Sequence, residues 1–155
     1  MLLNQTCEYA LRAMTYIAQC QANGAVQARQ IAEHTQVPQQ YLQKVLTDLA
    51  RAKILSSARG IGGGFRLKRP ADQIRLADVI RRFDDISSHT QCPFGNTQCG
   101  ITNPCPIHDR WSIVVAAYSS FLENTTLADL IRGNAYQPQP QPGAVRLNTP
   151  DSKED

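Results

Sequence analysis

Residues 92–108, CPFGNTQCGITNPCPIH, place four candidate ligands on one short stretch: Cys92, Cys99, Cys105 and His108. Thiolates are soft donors that suit iron–sulfur clusters, zinc and copper(I), and imidazole suits iron and zinc. Four such donors are enough for a tetrahedral zinc site or for one small cluster. Zinc ribbons usually pair their ligands in tight C-x2-4-C knuckles, and no such pair occurs in Cys92-x6-Cys99-x5-Cys105-x2-His108. Wide spacing wraps more easily around a larger object such as an iron–sulfur core. Cys105 and His108 are three apart, so at the start of a helix they would share a face. A thiol–disulfide switch between two of the cysteines is the other chemistry open to this stretch.

Outside the loop the candidates thin out. Cys7 and Glu8 stand near the start of the chain and could reach the loop through tertiary or intersubunit contact. Cys20 lies among apolar neighbours and is expected to be a buried thiol. His34 and His89 are expected at the surface or at helix ends. No serine or cysteine carries a sequence hint of an acid–base partner, so the chain does not read as an enzyme working by nucleophilic catalysis.

The 155 residues suffice for one domain with a core, and 42% are apolar, an ordinary globular composition. No apolar run approaches the roughly 18 residues that a membrane helix needs, so no membrane partner is expected. The N-terminus shows no leader pattern, and the odd cysteine count argues against a disulfide framework, so the expected compartment is the cytoplasm. Net charge is +3 but unevenly placed. Residues 1–82 carry twelve Lys/Arg and five Asp/Glu, whereas residues 83–155 carry four and eight. A basic first half suits a polyanionic partner.

The elements that must hold the loop follow from periodicity. Residues 5–20 place Leu11, Met14, Ile17 and Ala18 on one helical face. After Asn23-Gly24, residues 27–35 predict a short helix with Ile31 and Ala32 inward. Residues 38–52 predict a second helix starting at Pro38, with Leu42, Val45, Leu46 and Leu49 inward. Its outer face carries Gln39, Gln40, Gln43, Lys44 and Thr47. Two short helices joined by a tight turn make a helix-turn-helix, whose second helix would enter the major groove. Gln can pair with adenine, and Lys can reach guanine or phosphate.

ILSSA (from Ile54) and FRLKR (from Phe65) predict two strands joined by RGIGGG. A dinucleotide-binding loop is excluded because Phe65 stands where its last glycine should be and a strand follows. The hairpin reads instead as a wing, with Arg59, Arg66, Lys68 and Arg69 available to phosphates. Residues 75–83 predict another short helix with Leu76, Val79, Ile80 and Phe83 inward. From Ile107 to Asn124 a longer helix carries an apolar stripe of Trp111, Val114, Val115, Tyr118, Phe121 and Leu122, more than a modest core needs, so it predicts a dimerisation helix. TTLADLI adds a last short helix that Thr126 can cap. The Gln-Pro-rich residues 133–155 predict a disordered tail.

Taken together, EYALRAMTYIA, IAEHTQVPQQYLQKVLTDLARAKIL, RGIGGGFRLKRPADQIRLADVIRRFD, CPIHDRW and TTLADLI resemble the iron–sulfur winged-helix repressors typified by the Isc-operon regulator and the nitric-oxide-sensing repressor NsrR. The resemblance covers residues 1 to about 132. It implies a mainly α fold with a small β-hairpin wing: a winged helix-turn-helix plus a long dimerisation helix. It also implies a homodimer on operator double-stranded DNA. The expected division is a DNA-binding domain over 1–83, a cluster loop over 84–106, a dimerisation helix and short final helix over 107–132, and the tail.

By the same resemblance, Gln40, Tyr41 and Gln43 sit where the family meets DNA, and Arg59, Gly60, Gly62 and Gly63 match its wing. Cys92, Cys99 and Cys105 match the cluster cysteines. His108 and Trp111 match the Isc-type C-x2-H-x2-W pattern, where the histidine completes a 2Fe–2S cluster. In the nitric-oxide-sensing branch an acidic residue near position 8, here Glu8, would complete a 4Fe–4S cluster from the partner subunit. The sequence departs from the Isc-type branch in the six residues between Cys92 and Cys99 and in Gln43, which replaces a glutamate there.

Overall fold

The computed structural model describes residues 3–86, 91–95 and 105–132. Cys99, His89 and the tail from residue 133 lie outside the described residues, as do parts of the cysteine loop.

Helix α1 (Gln5–Cys20) is the element around which the others pack, and the chain is mainly helical. The Asn4 side chain accepts from the Cys7 amide at its N-terminus, which is the preferred capping arrangement. The Asn4 amide group also donates to the Phe83 carbonyl at 3.1 Å, tying the start of α1 to the end of the α4 region. Ala10, Met14, Ile17 and Ala18 bury one face of α1 against α2 (Ala28–Thr35) and α3 (Gln39–Arg51).

The turn between α2 and α3 runs through Gln36 with φ 57 and ψ 30, a left-handed residue where glycine is usual. Its side-chain amide donates to the Glu33 carbonyl at 2.6 Å, so a local hydrogen bond offsets the steric cost of that conformation. Pro38 is the N-cap of α3 rather than its first residue. The four inward positions expected of α3 (Leu42, Val45, Leu46 and Leu49) are all buried.

Strands β1 (Leu55–Ala58) and β2 (Gly64–Leu67) pair antiparallel, with Leu55 opposite Leu67 and Ala58 opposite Gly64. A third contact pins this hairpin to the body. Val26 and Phe65 exchange both backbone hydrogen bonds, at 3.0 and 2.8 Å. Helix α4 (Leu76–Ile80) follows, then α5 (His108–Asn124) and α6 (Leu127–Ile131).

Two buried clusters result. The larger gathers Met14, Ile17, Ile31, Leu42, Leu46 and Leu127 among others. The smaller holds Cys7, Leu76, Ala77, Ile80 and Leu122. Leu127 is fully buried in the larger cluster, and α6 packs on α1. Helix α6 therefore packs on the same body as α1. No helix among the described residues is long and apolar enough to cross a membrane.

Candidate nucleic-acid interface and ligand loop

Gln39, Gln40, Gln43 and Lys44 are all exposed on the outer face of α3, as its 3.6-residue period requires. Arg59, Gly60, Gly62 and Arg66 are exposed on the hairpin, and Gly63 is buried in its turn. A cleft of about 490 Å³ runs between them, lined by Gln43, Thr47, Arg51 and Arg59 among others. Charge distinguishes this face. Arg29, Arg69, Arg75, Arg81 and Arg132 each lie within salt-bridge distance of a carboxylate. Among the described residues, Lys44, Arg59, Arg66 and Lys68 have no such partner. Cations left without carboxylates on one face create the potential that draws a phosphate backbone.

Tyr41 differs from its neighbours on α3. Its hydroxyl is hydrogen-bonded to that of Thr6 on α1, and its ring meets Tyr9 edge-on at 5.6 Å. Gln5 in turn donates to the Tyr9 hydroxyl at 2.8 Å. A tyrosine expected as a DNA-facing residue thus fastens the first turn of α3 to the first turns of α1. Thr6 was not singled out by sequence reasoning, because nothing local signals a contact across 35 positions.

At the start of α5, the His108 amide donates to the Cys105 carbonyl at 2.9 Å, which closes the turn leading into the helix. One turn further on, the Trp111 indole donates to the Gln91 carbonyl at 3.0 Å. That bond holds the residue before Cys92 against the same end of α5. The structure therefore draws the two described cysteines of the loop, Cys92 and Cys105, toward the helix end that bears His108, all three partly exposed. Among the described residues no group of three His, Cys, Asp or Glu side chains is gathered closely enough to hold a metal ion. In kind, though not in the spacing of the described residues, the donor set of thiolates and one imidazole suits a cluster.

On α1, Glu8 is paired to the guanidinium of Arg12 one turn along the helix. Arg12 is almost wholly buried, and its Nε has no hydrogen-bond partner among the described residues. Cys7 is fully buried, and its thiol lies 3.8 Å from the Ile80 carbonyl. Burial, and then the charge of Asp84, push that thiol up to about 11. Tyr118 on α5 is raised too, by burial first and then by Asp84 and Cys7. Cys20, expected to be buried, is partly exposed. His34 stacks on Tyr16 with ring centroids 4.1 Å apart, at the exposed end of α2.

Along α5 the stripe divides. Val114 and Phe121 are 52% and 53% exposed, and Ile113, which was outside the expected stripe, is 69% exposed. Trp111, Val115 and Tyr118 are half-buried. Leu122 departs from its expected place in the dimer stripe, because it is buried in the chain's own smaller cluster. Its position in the helical period turns it toward Leu76 and Ile80, while Phe121 faces outward.

Comparison with known proteins adds three findings. The Rrf2 family, described as an iron-dependent transcriptional regulator, matches residues 3–133. A protein of Aquifex aeolicus described as an HTH-type transcriptional regulator is 31% identical over 133 residues, covering 84% of this chain and 92% of the relative. Among solved structures, T. potens IscR is 25% identical with a TM-score of 0.68, covering 91% of this chain and 93% of that one. CymR, the global cysteine regulator of B. subtilis, matches at 24% identity with a TM-score of 0.70, covering 83% and 94%.

Proposed function

The chain belongs to the Rrf2 family of DNA-binding transcriptional regulators, which are not enzymes, and on that footing we propose that it is a cytoplasmic, homodimeric repressor controlled by an iron–sulfur cluster. Cys92, Cys99, Cys105 and His108 would hold a 2Fe–2S cluster. Glu8 of a partner subunit is the ligand that would replace His108 around a 4Fe–4S cluster. When bound, the cluster supplies a centre whose integrity depends on oxygen, iron, nitric oxide or redox state. The observation that supports this reading is the tie between the loop and α5: the Trp111 indole holds the Gln91 carbonyl, next to Cys92, and Cys105 leads through one turn into His108.

Gln39, Gln40, Gln43 and Lys44 would read the major groove, with Tyr41 setting the pose of their helix. Arg59, Gly60, Gly62, Gly63 and Arg66 would carry the wing to the backbone and the adjacent groove. The outward row of Val114 and Phe121, with Trp111, Val115 and Tyr118 beside it, would be covered by a second copy. A dimer must present its two recognition helices about 34–36 Å apart, one turn of DNA. The loop leads into the start of α5, so a change there would alter that separation without touching the reading residues.

The test is anaerobic purification followed by an absorption spectrum and iron, sulfide and zinc per chain. Brown protein with acid-labile sulfide is the expected result. Colourless protein with one zinc per chain would make the loop structural, and colourless metal-free protein would move the sensing chemistry to the thiols themselves. CymR, which shares the fold, is described as a cysteine regulator, and the thiol outcome would align this chain with it.

A further inference from the structure

The tip of the wing carries a residue that nothing above uses. Ile61 stands between Gly60 and Gly62 and is 110% exposed, more open than in an extended peptide. A large apolar side chain so fully in water is disfavoured relative to burial. Its exposure is imposed by the turn. The Gly63 amide donates to the Gly60 carbonyl at 3.0 Å. A Cβ on Gly63 would lie 2.4 Å from the Ala58 carbonyl, so the backbone is packed against itself there. The Val26–Phe65 hydrogen bonds then fix the hairpin to the body. The tip is therefore a held, narrow feature. Glycine flanks Ile61 on both sides, and a Cβ added at Gly60 or Gly62 would meet nothing within 4 Å.

We propose that Ile61 enters the minor groove of the operator as an apolar wedge and supplies part of the sequence preference. The minor groove is about 6 Å wide, which admits a bare backbone turn with one side chain and excludes a broader tip. Arg59 beside the tip and Arg66 on the strand leaving it have no carboxylate partners among the described residues, which complements phosphates rather than an apolar protein surface. Isoleucine is branched at Cβ and stiff about χ1, so it loses little freedom on insertion. Apolar side chains of this kind part base steps from the minor-groove side. The energy of parting a step depends on its sequence and is lowest at TA and CA/TG. The preference therefore falls on positions that α3 does not touch. This inference rests on the DNA-binding role of the family and is independent of what the cysteine loop holds.

The test compares wild type, I61A and R59A on a duplex that the wild type selects from a random-sequence pool, across a salt series. A second duplex set carries 2-aminopurine under the wing. I61A, at a fully exposed position, should keep the wild-type thermal midpoint. It should bind the selected duplex about tenfold more weakly and leave the slope of log Kd against log salt unchanged, because no charge is removed. The 2-aminopurine fluorescence rise seen with wild type should disappear. R59A should flatten the slope by about one instead. Wild-type affinity in I61A overturns the proposal, and if R59A still weakens binding the wing's role stands without the wedge. A changed salt slope in I61A also overturns it, since the whole wing would then have moved.

Discussion

Two wing glycines share a positive φ but have different surroundings, and replacing each by alanine separates conformational strain from steric exclusion. Gly62 has φ +76, and a Cβ there meets open space. Gly62→Ala should cost only the left-handed penalty of an L-residue, about 1–2 kcal/mol. Gly64 has φ +146, and its Cβ would lie 2.5 Å from the Val26 carbonyl oxygen and 2.7 Å from the carbonyl carbon. Those neighbours are backbone and cannot rotate aside. Accommodating the methyl means parting Val26 from Phe65, which loses two hydrogen bonds worth about 1 kcal/mol each. Backbone strain at this glycine-only conformation adds about 1–3 kcal/mol. Gly64→Ala should therefore lose about 3–5 kcal/mol, a large share of the stability of a small domain. Urea unfolding at fixed slope measures both, and operator binding should fall much further for Gly64→Ala, whose hairpin is no longer pinned. If the two variants lie within 1 kcal/mol of each other, the close approach of Val26 to Gly64 does not hold the wing.

Cys99→Ala should abolish cluster loading while leaving a folded dimer; full loading by iron and sulfide analysis would remove Cys99 from the ligand set. Val114→Asp with Phe121→Asp should give a folded monomer by sedimentation, and a persisting dimer would place the interface elsewhere. Leu122→Ala should destabilise the chain by about 2–5 kcal/mol in urea, because it empties a buried site; a loss under 1 kcal/mol would put Leu122 in an interface instead. The Cys7 thiol is raised from 9.0 to about 11, so its contribution is whole below pH 9 and is lost as pH rises from 9 to 11. The stability difference between wild type and Cys7→Ala should therefore shift by about 3 kcal/mol over that window, and a pH-independent difference would show that the thiol does not titrate there.

Periodicity reached the elements because burial is what periodicity encodes. The inward row of α3 is buried residue for residue, and Gly-rich RGIGGG is the hairpin turn. It could not say what covers an apolar stripe. Phe121 and Leu122 are adjacent in one run, yet one faces solvent and the other fills the core beside Cys7. Nor does a local pattern announce pairings such as Thr6 with Tyr41 or Val26 with Phe65, which arise only when distant segments meet. Gln36 shows the reverse case: it stands in a left-handed turn position where glycine is usual, and a side-chain hydrogen bond to Glu33 supplies the compensation. At the candidate site, ligand types and spacing offered candidate donors, while the Trp111–Gln91 bond that holds the residue before Cys92 against α5 needed the fold.

The two ends of α5 are fastened very differently. At one end Leu122 is buried, Glu123 pairs with Arg75 and Arg81, and Thr125 and Leu127 bond to Leu76 and Ile74. At the other, the Trp111 indole donates to the Gln91 carbonyl of the loop. His108 stands about 21 Å along the helix from the buried Leu122. Motion of about 2 Å at the loop end tilts the helix by about 5°. If two chains join along α5 as proposed, each such tilt would turn the attached head through a similar angle, and a small chemical event at the loop would be converted into the angle between two heads on DNA.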